Sequence, residues 1–297
     1  MATFSAAPGT WTNVTSDANF RAWGSYVSAQ LAAMGLVQTA DTGQINWATV
    51  TNPGAINTYS GYEIWRFADA LQATAPVYIK IQYGEGAATD GPGMRFQFGS
   101  GSDGAGNLTG ILSSEWDAEC GSVTSSALVR GSGGTARFCM NGGFTAAGGL
   151  GLWFGFERSK NAAGEDTAEA VLFLSHSNGS SNSTGTTTQQ IGVWSTTLGD
   201  LQNSNTVMPA IFPLGSTAAS GTQIMTMPIL HNKGVYMNPG LNFMGYYTEN
   251  ITPSGTPSVY MYGAAHTYYA FPATSGISGT GWQGPGSGTE ALMMRYE

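Results

Sequence analysis

The stretch Ser16–Trp47, SDANFRAWGSYVSAQLAAMGLVQTADTGQINW, decides how the rest of the chain is read, because its pattern changes at one glycine. Phe20, Trp23, Val27, Leu31 and Met34 recur at steps of three and four, which brings side chains onto one face of an α-helix. Ser16 or Asp17 stands where an N-cap belongs. Gly35 stands where a helix stops, and Leu36 is placed for the apolar contact that accompanies such a stop. The spacing predicts a helix over about 17–34. Its apolar face is large for a lone helix and needs a partner surface. The expected partner is the chain's own sheet edge near GLVQTADTGQINW, or the same region of an adjacent subunit, and not a bound ligand.

Beyond Gly35 the apolar period becomes two, the signature of strands with one buried face. GYEIWRFADAL alternates around Tyr62 and Ile64, APVYIKIQYGEG puts Val77, Ile79 and Ile81 on one face, and GPGMRFQFGSGSDG does the same for Met94, Phe96 and Phe98. ALVRGSGGTARFCMNGG, GLGLWFGFERS and AEAVLFLSHS continue the pattern, and KNAAGED between the last two marks a hairpin. Later strands are expected at IGVWSTT, TVMPAIFPLG, TQIMTMPIL, GVYMNPG and SVYMYGAAHTYYAFP. Strong helical patterns do not separate these strands, which excludes a βαβ protein. The expected fold is mainly β: an antiparallel sandwich or jelly-roll-like arrangement with one N-terminal α-helix. It forms a single β-rich domain over 1–297. The polar run HSNGSSNSTGTTTQQ, 176–190, is a long exposed loop or else a linker dividing the chain into 1–175 and 191–297.

Composition bounds the function. Charged residues make up 9% of the 297, against about 25% in an ordinary soluble domain, while glycine reaches 43. The surface is therefore mostly small and polar. Such a surface suits contacts with copies of the same chain or with neighbours, because few long charged side chains must be ordered or desolvated there. A net charge of −8 with scattered basic residues argues against nucleic acid. No segment reaches about 18 consecutive apolar residues, so membrane insertion is not expected. No basic stretch followed by an apolar run opens the chain, which sets the expectation that a signal peptide does not export it.

Motifs for chemistry are sparse. Gly99-Gly101-Gly104 and Gly279-Gly281-Gly284 fit G-x-G-x-x-G but are not set to open helices, so no dinucleotide is expected. Glu115, Asp117 and Glu119 in SSEWDAECG would share a face of an extended strand, either as a calcium site or glycosidase carboxylate pair, or as the charged face of an edge strand. The edge strand is preferred. SDGAGNLTG, with Asp103 and Asn107, lacks the remaining acidic ligands of a calcium loop and reads as a wide turn. His176, His231 and His266 share no metal-ligand spacing, and Cys120 and Cys139 form no CxxC pair. No metal or cofactor is expected, and enzyme activity, a glycan-degrading one, is the minor alternative. Tyr246, Tyr247, Tyr260, Tyr262, Tyr268 and Tyr269 fall with several methionines in a span nearly free of charge. They suit a protein interface, a sandwich core or a sugar-stacking surface.

Over about residues 16–110 the sequence resembles a family of tailed-bacteriophage virion proteins described as structural, tail or fibre-like. The likeness is carried by SDANFRAWGSYVSAQLAAMGLVQTADTGQINWATV, by GYEIWRFADALQATAPVYIKIQYGEG and by GSDGAGNLTG. The resemblance implies a non-enzymatic particle component, present in several copies, that is assembled in the bacterial cytoplasm and resides in the virion. Its implied partners are other virion proteins and copies of itself. From the residues themselves, Phe20, Trp23, Val27, Leu31 and the six tyrosines are the interface or packing candidates. A tail or distal-tail position is preferred. A receptor- or carbohydrate-binding adhesin contacting a host surface glycan, and a capsid decoration or head-fibre protein, are the alternatives.

Overall fold

The computed structural model describes the backbone of residues 5–6, 14–33, 35–86, 91–119, 130–134, 137–144, 151–160, 165–178, 188–195, 199–200, 223–226, 229–231, 234–236, 243–248, 258–261, 264–271 and 289–295. Side chains are described over 14–33, 35–86, 91–115, 117, 156–158 and 165–170.

Helix α1 (Asp17–Ala33) is set by local chemistry at both ends. The Ser16 hydroxyl accepts the Asn19 N–H at 3.1 Å, so Ser16 is the N-cap. At the far end Gly35 takes φ +94°, the left-handed conformation that glycine adopts most readily. There the Gly35 N–H donates to Ala32 O and the Leu36 N–H to Leu31 O, the paired bonds of a Schellman stop, and Leu36 is buried. Met34 lies outside the described residues.

The apolar face of α1 meets the expected GLVQTADTGQINW stretch through Leu36 and Trp47, but most of it does not pack on a sheet edge. It lies on the face of a sheet formed by β2 (Val37–Gln38), β3 (Thr58–Arg66), β4 (Tyr78–Glu85), β5 (Pro92–Ser102) and β6 (Leu108–Ile111), paired antiparallel in that order, with β7 (Trp116–Glu119) also pairing with β5. Phe20, Trp23, Val27 and Leu31 share one core with Trp65, Ile79, Ile81, Tyr83, Met94, Phe96 and Phe98. The physical reason is area: a strand edge offers backbone groups, whereas the pleated face offers three rows of apolar side chains to cover. Phe20, Val27 and Leu31, all fully buried, each contribute about 1.5–3 kcal/mol of transfer free energy.

The segment GQINW supplies a wedge between helix and sheet. The Trp47 ring lies 4.9 Å from that of Tyr83 and 5.8 Å from that of Phe20, and Trp23 meets Tyr83 edge-on at 5.9 Å. Gly24 makes room for it, because a Cβ there would fall 1.9 Å from the Trp47 ring.

The register fixes the two faces of the sheet. Glu63 pairs with Ile81 and Trp65 with Ile79, while Ile81 pairs with Phe96 and Ile79 with Phe98, so these side chains all face α1. Tyr62, Ile64, Lys80, Gln82, Arg95 and Gln97 face away. A register shift between Tyr59 and Gly61 inserts one extra residue, which returns Tyr59 to the outer face beside Tyr62. The residues after β3, read with it from the sequence, instead form a single 3₁₀ turn (Ala70–Ala73).

The remaining described elements are strands. A seven-stranded antiparallel sheet runs in the order β1 (Ser5–Ala6), β8 (Arg130–Gly134), β9 (Arg137–Phe144), β10 (Gly151–Lys160), β11 (Asp166–Asn178), β12 (Thr188–Ser195), β13 (Gly199–Asp200). The expected hairpin of β10 and β11 is present, pairing Leu152 with His176 and Lys160 with Asp166. The polar run 176–190 is shorter as a connection than the sequence implied, because its two ends pair: His176 with Gln190 and Asn178 with Thr188. The positions 179–187 lie outside the described residues.

A five-stranded sheet is ordered β14 (Gln223–Thr226), β17 (Phe243–Thr248), β20 (Thr289–Arg295), β19 (Ala264–Phe271), β18 (Ser258–Met261), and β15 (Ile229–His231) pairs with β16 (Gly234–Tyr236). SVYMYGAAHTYYAFP is thus two paired strands where the sequence suggested one, and TQIMTMPIL likewise supplies β14 and β15. TVMPAIFPLG lies outside the described residues. The fold is mainly antiparallel β with a single N-terminal α-helix, and no closed barrel forms among the described strands.

Several described contacts join the helix-backed sheet to the seven-stranded one. Phe156 of β10 packs edge-on against Phe67 at 5.9 Å and Phe98 at 6.4 Å, and Ala170 of β11 is buried in the same core. Beside them Arg158, fully buried, bonds Asp69 through Nε at 3.0 Å and Nη2 at 3.3 Å, and donates to Ala168 O at 3.1 Å.

Candidate functional site

The centre of the helix-backed sheet is a carboxylate, not a hydrocarbon. Glu63 is 1% exposed, yet four donors converge on its two oxygens. Ser28 Oγ of α1 donates to Oε1 at 2.7 Å and Trp47 Nε1 to the same oxygen at 2.9 Å. Tyr83 OH donates to Oε2 at 2.7 Å and Trp65 Nε1 at 3.1 Å. A buried carboxylate is tolerated when its lone pairs are filled, and here they are filled from the helix, the wedge loop and two strands. Burial first, then the charge of Glu63, push the Tyr83 phenol well above its ordinary range, so it remains a donor. Glu63 therefore ties its own strand β3 to α1, to the wedge loop and to β4.

The outer face is built differently. Across it runs a row in register: Asp117, Arg95, Gln82, Tyr62. Arg95 reaches Asp117 at 2.5 and 3.2 Å and Glu115 at 3.1 Å, and stacks over Tyr59 at 4.6 Å, whose OH also donates to Asp117 at 2.7 Å. Donating hydrogen bonds to the Asp117 carboxylate raises the Arg95 guanidinium above its usual range. Glu115 and Asp117 are therefore ion-pair acceptors for Arg95, Asp117 on the edge strand β7 and Glu115 just before it.

Two loops lean over the other end of this face. The Asp41 Oδ1 accepts the Gly106 N–H at 3.1 Å and the Ser102 hydroxyl, and Gly104 O accepts the Thr42 N–H at 2.9 Å. Lys80 Nζ donates to Gly106 O at 2.9 Å and lies 4.6 Å over the Tyr62 ring, whose OH donates to Thr42 O at 2.7 Å. Burial works to raise the Asp41 carboxyl, but hydrogen bonds from Ser102, Thr39 and Gly106 outweigh it and hold the group below the usual range. Asp103 closes its own turn: it accepts the Ala105 N–H at 2.7 Å, the Asn107 N–H at 3.0 Å and the Asn107 amide at 2.8 Å. These bonds, led by the Asn107 side chain, lower its carboxyl. The turn reading of SDGAGNLTG describes this segment, and its acidic group serves the turn itself.

No family model, curated protein or solved structure matches the chain.

The residues singled out from sequence fall into separate places. Phe20, Trp23, Val27 and Leu31 are each 0% exposed within the chain's own core, which leaves them no free surface for a neighbour. Tyr246 and Tyr247 lie on β17, Tyr260 on β18, and Tyr268 and Tyr269 on β19. Tyr246 pairs with Ile224 and Ala291, and Tyr269 with Met294. Their side chains, and Tyr262 altogether, lie outside the described set. His176, His231 and His266 occupy β11, β15 and β19, in three different sheets. Cys139 is paired in register with Ser132 and Gly155, and Cys120 lies outside the described residues. No cluster of three metal-ligating side chains occurs among the described residues.

Sequence reading missed Glu63, Asp41, Arg66 and the Asp69–Arg158 pair. The signal for Glu63 was its parity: in YEIWR it alternates with the aromatic that faces the core, but only the register with Ile81 reveals that parity as buried.

Proposed function

We propose that this chain is a structural subunit of a tailed-bacteriophage particle, located at the tail or its distal end, that acts by association with other particle proteins and with copies of itself. The observation that carries this reading is how the segment bearing the phage-like sequence folds. Within residues 16–110 the large apolar groups of α1 are consumed internally and locked by Glu63. The outward face is left with half-exposed tyrosine, glutamine and arginine groups whose charges are largely paired. A surface of this kind meets a protein neighbour with little desolvation of free charge, and affinity then comes from shape and from buried area. The low overall charge supports the same reading. The sandwich or jelly-roll-like stacking of the sheets belongs with this proposal, as does residence in the virion.

The test is compositional. Particles purified on a density gradient and examined by quantitative mass spectrometry are expected to contain the chain in multiple copies, comigrating with tails after heads and tails are separated. Abundant chain in infected-cell lysate with none in intact particles would overturn the reading. Comigration with heads alone would transfer it to the capsid.

A further inference from the structure

We infer that a groove at one end of the helix-backed sheet is a binding site for a sugar unit bearing a carboxylate. Val37 of β2, Arg66 of β3 and Tyr78 of β4 pair in register and form one row on the face away from α1. The segment running to Asp41 and the turn beginning at Ser102 rise beside this row and border an open groove of about 350 Å³. That volume lies at the lower end of the range for small-molecule clefts.

Arg66 sets the chemistry. Arg21 pairs with Asp17, Arg95 with Glu115 and Asp117, and Arg158 with Asp69. Among the described guanidinium groups Arg66 alone has no carboxylate partner. Its one bond runs from Nη1 to Phe67 O at 3.2 Å, which leaves the rest of its planar fork open to a carboxylate. Tyr78 adds a ring on which the C–H face of a sugar can rest. Gln38 donates its amide to Gln44 at 3.1 Å and keeps its oxygen for a hydroxyl. Asp41 is fixed in the wall by Ser102 and Gly106, so it too accepts from hydroxyls without moving. The same Asp41, with a net charge of −8 overall, disfavours a phosphate dianion. One negative charge and several hydroxyls on a compact ring satisfy the whole lining.

The inference stands on the groove alone and goes beyond the assembly role, so its failure leaves that reading intact. The probes are glucuronate, galacturonate, glucose and acetate, titrated into the purified full chain by calorimetry with ligand-observed NMR. At least one uronate is expected to bind saturably in the millimolar range, with glucose and acetate about tenfold weaker or worse, a difference of about 1.4 kcal/mol. Arg66→Gln is expected to weaken the uronate about tenfold, while Arg95→Gln leaves it unchanged. Melting temperatures are read in parallel. If Arg66→Gln fails to fold, Arg66→Lys, which keeps the charge but loses the fork, gives the same comparison. Absence of saturable uronate binding, equal binding of glucose or acetate, or full uronate affinity in a folded Arg66 variant would each overturn the proposal.

Discussion

Glu63 accepts four hydrogen bonds at the centre of the N-terminal unit. Glu63→Gln replaces one acceptor oxygen by an NH₂ group facing donors that can only donate, such as the indoles of Trp47 and Trp65. The expected loss is about 3 kcal/mol of unfolding free energy, read from urea denaturation. A loss under about 0.5 kcal/mol would mean that the four bonds contribute nothing net. Trp23→Ala removes a fully buried ring from the same centre and is expected to cost at least about 3 kcal/mol. Asp41 and Asp103 give the chain a pH signature. Both carboxyls are lowered in the fold, so their contribution is present above about pH 4 and fades as pH falls through the lowered values. Urea midpoints are expected to be flat from about pH 5 to 7 and to fall below about pH 4, with Asp41→Asn reducing the slope of that fall.

At the scale of elements, α1 was legible because everything that defines it is local. Its period, its Ser16 cap and its Gly35 stop lie within a few residues of one another. Gly35→Ala is expected to lower stability by about 1 kcal/mol, since alanine resists the positive φ, and circular dichroism melts will register it. An unchanged melt would remove the Schellman stop as a determinant. Alternation likewise exposed β4 and β5. What stayed hidden depends on partners distant in the chain. The bulge at Ser60 reverses the parity of β3, so Tyr62 and Ile64, read as the pattern-bearing residues, point outward while Glu63 points in. The helix-forming residues of TEALMMR mask β20, which pairs on both sides with β17 and β19. The break between β18 and β19 falls between Met261 and Ala264, inside a run that alternation alone reads as continuous. The groove at Arg66 was illegible for the same reason: its row exists only after β2, β3 and β4 are in register.

At the scale of the whole molecule, the buried Asp69–Arg158 pair fastens the helix-backed sheet to the seven-stranded one. Arg158→Met strands a nearly buried carboxylate and is expected to cost about 3–5 kcal/mol. The double variant Asp69→Leu with Arg158→Met is expected to recover part of that loss, because no charge is left unpaired. A double variant as unstable as the sum of its singles would show that the pair is not coupled. Under the proposed assembly role, two sheets fastened in this way would let the chain keep its shape while copies pack together. The most direct measurement is a cryo-EM map of the intact particle. Repeated copies of the helix-backed sheet are expected on the tail, with α1 folded onto the β3–β5 face of its own chain. A tail without this density, or α1 seated on a neighbouring copy, would contradict the assembly role or the packing that underlies it.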